Sequence, residues 1–217
     1  MPQILASIIS GIVEVIFTHP IDNVKTQIQN NQKNKTKIHI TFNGFSTRLI
    51  GVVPMRFLFW NSLDYFKTNN FNVYSSSILT AIIQTTIDYP IEQIKTQQII
   101  NNKKIINCFQ GIDIYKASFA HLSRNVIFTT CFSVIIQQNL DSFYYGAFGG
   151  LVGSFVTQPL DTLKTWYQSG RKYYPTHWKL KHYMTGWHYR CSGSFISMNI
   201  GWVLFHRLKN IENHNIK

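Results

Sequence analysis

The feature that most constrains this chain is a motif written three times. "HPIDNVKTQIQ", "YPIEQIKTQQI" and "QPLDTLKTWYQ" put prolines at Pro20, Pro90 and Pro159, 70 and 69 residues apart. Two positions after each proline stands an acid: Asp22, Glu92 or Asp161. Three positions beyond the acid stands a lysine: Lys25, Lys95 or Lys164. One such hexapeptide arises readily by chance, whereas three at near-equal spacing mark internal repetition. In a repeat architecture a single unit cannot bury its apolar face alone.

The repetition extends beyond the motif. "NGFSTRLIGVVPMRFLFWNSLDYFK", 43–67, aligns without a gap to "TGWHYRCSGSFISMNIGWVLFHRLK", 185–209, matching Gly44 to Gly186, Arg48 to Arg190, Gly51 to Gly193 and Lys67 to Lys209. The middle copy, "YKASFAHLSRNVIF", fits with Ala117 in the glycine position. Each unit therefore reads as a helix, a proline and charged turn, a polar loop, a small-residue turn and a second helix. The first helices are expected over 4–29, 75–99 and 143–168, and the second over 46–68, 118–140 and 189–209. Helix is favoured over strand because the apolar segments are long and lack strict alternation.

Composition narrows the setting. Of 217 residues 45% are hydrophobic, and only 14% are charged, against roughly 25% in ordinary soluble proteins. Lys and Arg number 21 against 9 Asp and Glu, for a formal charge of +12. Few charges with a strong positive bias point to buried or lipid-facing surfaces and an anionic partner. Mean hydropathy is only −0.06, and no apolar run reaches the roughly 18 residues of a simple membrane span. A soluble helical repeat therefore stays open beside a membrane bundle whose polar residues face a water-filled cavity. The "GAFGGLVGSF" stretch at 146–155 offers the small-residue surface of closely packed membrane helices. Cys108, Cys131 and Cys191 lack metal-like spacing and read as isolated buried thiols. No nucleophile, base and orienter recur together, so an enzyme is not expected. Dispersed basic residues without a DNA-binding pattern argue against nucleic acid as a partner.

With these residues in view, the chain resembles the mitochondrial carrier family. The tripled proline, acid and lysine motif carries the likeness, together with "FQGIDIYKA", a worn form of the family's turn element in repeat two. The resemblance implies an all-α membrane protein of six transmembrane helices in three pseudo-threefold repeats around a central cavity. The repeats would cover about 1–70, 74–141 and 143–214 of a single carrier domain. It also implies transport of a small metabolite across the mitochondrial inner membrane by alternating access, a functional monomer, no cofactor or metal, and contact with anionic lipids such as cardiolipin. A scaffold that occupies the membrane without transporting is the bland alternative.

Two gates follow from the resemblance. Pro20, Pro90 and Pro159 would kink the odd helices. Asp22, Glu92 and Asp161 would then pair with Lys25, Lys95 and Lys164 on neighbouring helices as a matrix-side ring, braced by Gln27 and Gln97, with Trp166 at the third brace position. The competing local reading, an i,i+3 pair on one helix, stabilises by only about 0.2–0.5 kcal/mol. The opposite gate is thin. Asp64 and Lys67 hold the motif in repeat one, Gln137 and Leu140 replace it in repeat two, and repeat three retains only Lys209. At most one ordinary ion pair forms there, and a soft gate lets an empty carrier reorient.

The family's substrate-contact sites fall on Gly51 and Val52, Arg124 and Asn125, and Gly193 and Ser194. Arg48 and Arg190 lie three positions before the glycines, on approximately the same face. An intramembrane arginine belongs in a polar cavity, and its five-donor fork suits phosphate or carboxylate. Three converging arginines favour a multiply charged anion, with a nucleotide preferred. The alternative is a carboxylate or keto-acid, because Arg124-Asn125 replaces the Gly-Ile usual in nucleotide carriers. Some of these arginines would instead snorkel to the interface. Arg56 is expected to face elsewhere, and the sequence does not orient Glu14.

Overall fold

Helix is the only regular element among the described residues of the computed structural model, which are 2–30, 44–101, 104, 107–109, 114–138, 143–170 and 179–200. The helices are α1 (Pro2–Gln29), α2 (Phe45–Thr68), α3 (Val73–Asn101), α4 (Ile114–Gln138), α5 (Phe143–Val156), α6 (Gln158–Ser169) and the short α7 (Leu180–Tyr183). Residues 187–200 form α8. Within the described residues the long apolar segments thus fold as helices, the first four close to their expected bounds. At 28 residues α1 is about 42 Å long, enough to cross a bilayer core of roughly 30 Å.

Composition is a poorer guide than length. Among the described residues one helix, Ile114–Ile136, is both long and apolar enough to qualify as a membrane span, and Tyr145–Val156 is a shorter apolar helix. The other long helices fall short because their inward faces are polar. In α3, for example, Ser76, Ser77, Thr80, Asp88, Gln93, Lys95 and Gln97 are all buried. Its outward face carries Tyr74, Ile78, Leu79, Ile82 and Ile83, all exposed. Polar-in, apolar-out is the inverse of a soluble bundle's pattern.

The three prolines act differently. Pro20 and Pro90 sit inside continuous helices. The third odd segment, expected to be one helix over 143–168, is interrupted at Thr157, and Pro159 falls in the first turn of α6. Proline is tolerated there because its missing N–H would be unpaired anyway. Thr157 Oγ1 donates to the Gly153 carbonyl at 2.6 Å, and the same carbonyl accepts the Thr157 N–H at 3.1 Å. Arg190 of α8 holds the same hydroxyl at 2.6 Å. α2 also carries an internal proline, Pro54.

The small-residue turns are genuine at two of the three expected places. Gly44 and Gly186 have φ of 79° and 78°, the left-handed region that glycine enters without steric cost. Gly44 abuts Lys95 and Gln98 of α3, and Gly186 abuts Lys25 and Gln29 of α1. Ala117 departs from this pattern. It lies within α4, buried, because that helix begins earlier, at Ile114. Of the cysteines, Cys108 and Cys191 are buried but Cys131 is only half-buried.

Candidate functional site

The acids and lysines of the repeated motif lie three apart, so each pair shares one helix face. That face points inward, where α1, α3 and α6 meet pairwise. Lys95 Nζ lies 3.2 Å from Asp22, Lys164 Nζ 2.6 Å from Glu92, and Lys25 Nζ 2.5 Å from Asp161. Each lysine thus reaches the acid of the preceding repeat, and the third link closes a ring. Lys95 also retains the local contact, at 2.9 Å from Glu92.

Arginines from the even helices join this ring. Arg48 pairs with Asp22. Arg124 lies 3.2 Å from Asp161 and 3.5 Å from Asp88, and Arg190 lies 3.8 Å from Asp161. Asp161, fully buried, therefore faces three cations, and Gln29 Nε2 also donates to it at 2.9 Å.

A second set of bonds repeats in each unit. Arg48 donates to Thr18 at 2.7 Å and Arg190 to Thr157 at 2.6 Å; both threonines stand two positions before a motif proline. In the middle repeat Asp88 holds that place and meets His121 Nε2 at 2.8 Å. His121 follows Ala117 by four positions, as Arg48 follows Gly44, so the repeat alignment already contained this substitution.

Beyond the ring lies a cavity of about 140 Å³. Its basic lining residues are Lys25, Arg48, Arg56, Lys95, Arg124 and Arg190, and its acidic ones Glu14, Asp22, Asp88 and Glu92. Asn125, Gly193 and Ser194 also line it. Gly51 and Val52 do not. A Cβ on Gly51 would lie 2.3 Å from Ile91 Cγ2, so this glycine serves the close approach of α2 to α3. Val52 is buried outside the cavity wall.

Arg56, expected to face elsewhere, points into the cavity. It is 4% exposed and grips Glu14, itself 3% exposed, through two bonds of 2.6 Å. Ser197 of α8 donates to the same carboxylate at 2.8 Å. Measured from Arg48 rather than Gly51, eight positions leave Arg56 only about 80° off the arginine face. Asp88 was the other acid overlooked, since it precedes its proline by two positions and lies outside the counted motif.

The remaining expected site residues lie apart from the cavity. Gln27 donates to Asn23 on its own helix. Gln97 bonds the Gln168 carbonyl at the end of α6 and accepts from Asn101, so it ties helix ends instead of bracing an ion pair. Trp166, at the third position, donates to the Gln29 carbonyl at 2.7 Å. Asp64 is half-buried and Lys67 exposed near the other end of α2. Lys209 and Leu140 lie outside the described residues, and so does the side chain of Gln137.

With this geometry in place, similarity to known proteins becomes informative. Residues 1–41 match the family described as mitochondrial carrier protein. The chain is 28% identical over 144 residues to mitochondrial carrier-like protein L276 of Acanthamoeba polyphaga mimivirus, covering 64% of this chain and 59% of that protein. It is 22% identical to mitochondrial substrate carrier family protein X of Dictyostelium discoideum over 214 aligned positions, covering 75% of this chain and 71% of that protein. The match thus spans less than two thirds of the viral relative's length.

Proposed function

Since the chain belongs to the mitochondrial carrier family as a divergent member, we propose that it carries a small anionic solute across a membrane by alternating access. The observation that carries this reading is the charged cavity bounded at one end by three interhelical lysine–carboxylate pairs. Such pairs attract strongly in a low dielectric but lose hydration when buried, so the net balance is small. A ring near balance can open when a solute competes for its charges. The gate so formed comprises Asp22, Lys25, Glu92, Lys95, Asp161 and Lys164, each acid and lysine carried just after a motif proline. The accompanying reading is a multi-pass monomer with six crossings in the mitochondrial inner membrane, in contact with anionic lipids.

The anion is compact in this reading. Six basic groups against four acidic ones leave an excess of two positive charges on the cavity lining. A dicarboxylate, a dicarboxylic keto acid included, matches that excess. About 140 Å³ is well below the roughly 300–1,000 Å³ of pockets that enclose larger ligands. A nucleotide is the second reading, favoured by the convergence of Arg48, Arg124 and Arg190 on one cavity, and it requires the cavity to widen. Purified protein in liposomes, offered labelled dicarboxylates, keto acids, phosphate, nucleotides and basic amino acids, tests both. Uptake led by the dicarboxylates and keto acids supports the first reading, and uptake led by nucleotides replaces it with the second. Uptake of none of the panel removes the proposal.

A further inference from the structure

At the end of the cavity away from the lysine ring, buried apolar side chains come together. Along α2, Arg48 stands at the ring, Arg56 about 12 Å beyond it, and Phe59 and Trp60 about 17 Å beyond it. On α4, Phe132 is about 12 Å past Arg124, and on α8, Met198 is about 12 Å past Arg190. These residues from three helices meet. The Phe132 ring lies 5.9 Å from both Phe59 and Trp60, and all belong with Met198 to one buried cluster. Met198 also lines the cavity, as does Phe128, which packs against the cluster, so the buried cluster borders the cavity.

Directly beneath this roof sits the Glu14–Arg56–Ser197 cluster, which joins α1, α2 and α8. The repeat pattern does not require it. The positions matching Arg56 and Glu14 in other repeats hold Met198 and Gln84, and neither can form an ion pair. The carboxylate and guanidinium are therefore particular to the first repeat, placed where α1, α2 and α8 converge.

We propose that the side opposite the lysine ring is closed by an apolar lid of Phe59, Trp60, Phe132 and Met198, latched by the buried Glu14–Arg56 pair, instead of by ion pairs at the helix ends. An apolar constriction closes by excluding water and fits against itself without any charged partner. The lid thus takes over the work for which Asp64 and Lys67 supply only one pair. With the ring and the lid both closed, the carrier is occluded. This proposal rests on the membrane-carrier reading, but its test requires no knowledge of the transported solute.

The test is sided thiol labelling of the full chain in proteoliposomes. Ser194→Cys, on the cavity wall, is the reporter in a background with Cys108, Cys131 and Cys191 changed to Ala, and the probe is a membrane-impermeant maleimide. Trp60→Ala combined with Phe132→Ala is expected to raise labelling from the side of the α2–α3 connection by about tenfold, because a less costly opening is more populated. Trp60→Phe should leave it slow. Where the double variant loses its thermal transition in detergent, Glu14→Gln with Arg56→Met removes the latch alone and is expected to act in the same direction. Lys95→Ala should speed labelling only from the other side. Folded lid and latch variants that both label at the parent rate, or that open toward the ring side, overturn the proposal. A negative uptake panel would remove the anion-transport reading and leave the gate measured.

Discussion

Lys25 of α1 meets Asp161 of α6 at 2.5 Å, and this contact joins the first repeat to the third. The other two links run in the direction of the sequence, from Lys95 back to Asp22 and from Lys164 back to Glu92. Only the link at Asp161 turns three successive units into a closed ring. Its acid is also the most heavily subscribed, with Arg124 and Arg190 on its free side.

Asp161 should therefore be the residue on which the ring depends most. Asp161→Asn leaves three cations without their shared partner, and breaking a buried ion network by removing one member costs about 3–5 kcal/mol. Lys25→Ala should cost less, because Asp161 retains two arginines and Gln29. Thermal unfolding in detergent ranks the two; a larger loss for Lys25→Ala would mean that the three cations do not share one acid.

The Glu92–Lys164 pair offers a simpler test of gating. Each single neutralisation should impair uptake, and the charge-swapped Glu92→Lys, Lys164→Glu protein should recover part of the loss. A coupling of about 0.5–3 kcal/mol is expected for groups in direct contact. Full additivity of the two changes would remove this pair from the gate. Recovery should be partial, since Glu92 also holds Lys95 at 2.9 Å.

Gly51→Ala is predicted to destabilise by about 1–3 kcal/mol through overpacking. The new methyl would strike Ile91, whose β-branched side chain is stiff at χ1 and cannot swing aside. Ile91→Ala in the same protein should return part of the stability. A thermal midpoint unchanged by Gly51→Ala would show that α2 and α3 can separate at no cost.

Arg124 should be sensitive to geometry as well as charge. It holds Asp161, Asp88 and its neighbour Asn125 through different nitrogens. Lysine, a point charge, should only partly replace it, and alanine should nearly abolish uptake, since removing one partner of a buried charged contact costs about 2–5 kcal/mol. Equal uptake by the Lys and Arg proteins would reduce its role to charge alone.

The six crossings proposed above predict alternate sidedness of the connections. A cysteine at Thr68, the ring-distal end of α2, should label from one face of the membrane. A cysteine at Asn30, after α1, should label from the other. Labelling of both from the same face would rule out a single crossing by α2.

Much of this was legible from residue order. Motif spacing marked three units and aligned Arg48 with Arg190, because repetition in a chain survives as repetition of type and distance. Helix bounds followed from long apolar segments, since backbone hydrogen bonding is local. The same locality explains the misses. The third odd segment is interrupted at Thr157 although Pro20 and Pro90, in the same motif, sit inside continuous helices, so the motif alone did not tell the three apart. Ala117 sat within α4 because helix start signals lie outside the aligned stretch.

The sequence by itself determined that acid and lysine share a helix face, because three residues are nearly one turn. It also placed a proline within or at the start of the helical segment that carries each pair. Only the tertiary structure decided which acid each lysine meets, that Glu14 and Arg56 turn inward to each other, and that Gly51 packs against Ile91 instead of lining the cavity. The reason is rotational. Spacing sets where side chains stand relative to one another on one helix, but the rotation of that helix against its neighbours is set by all the contacts together. A close approach of two helices belongs to neither segment alone.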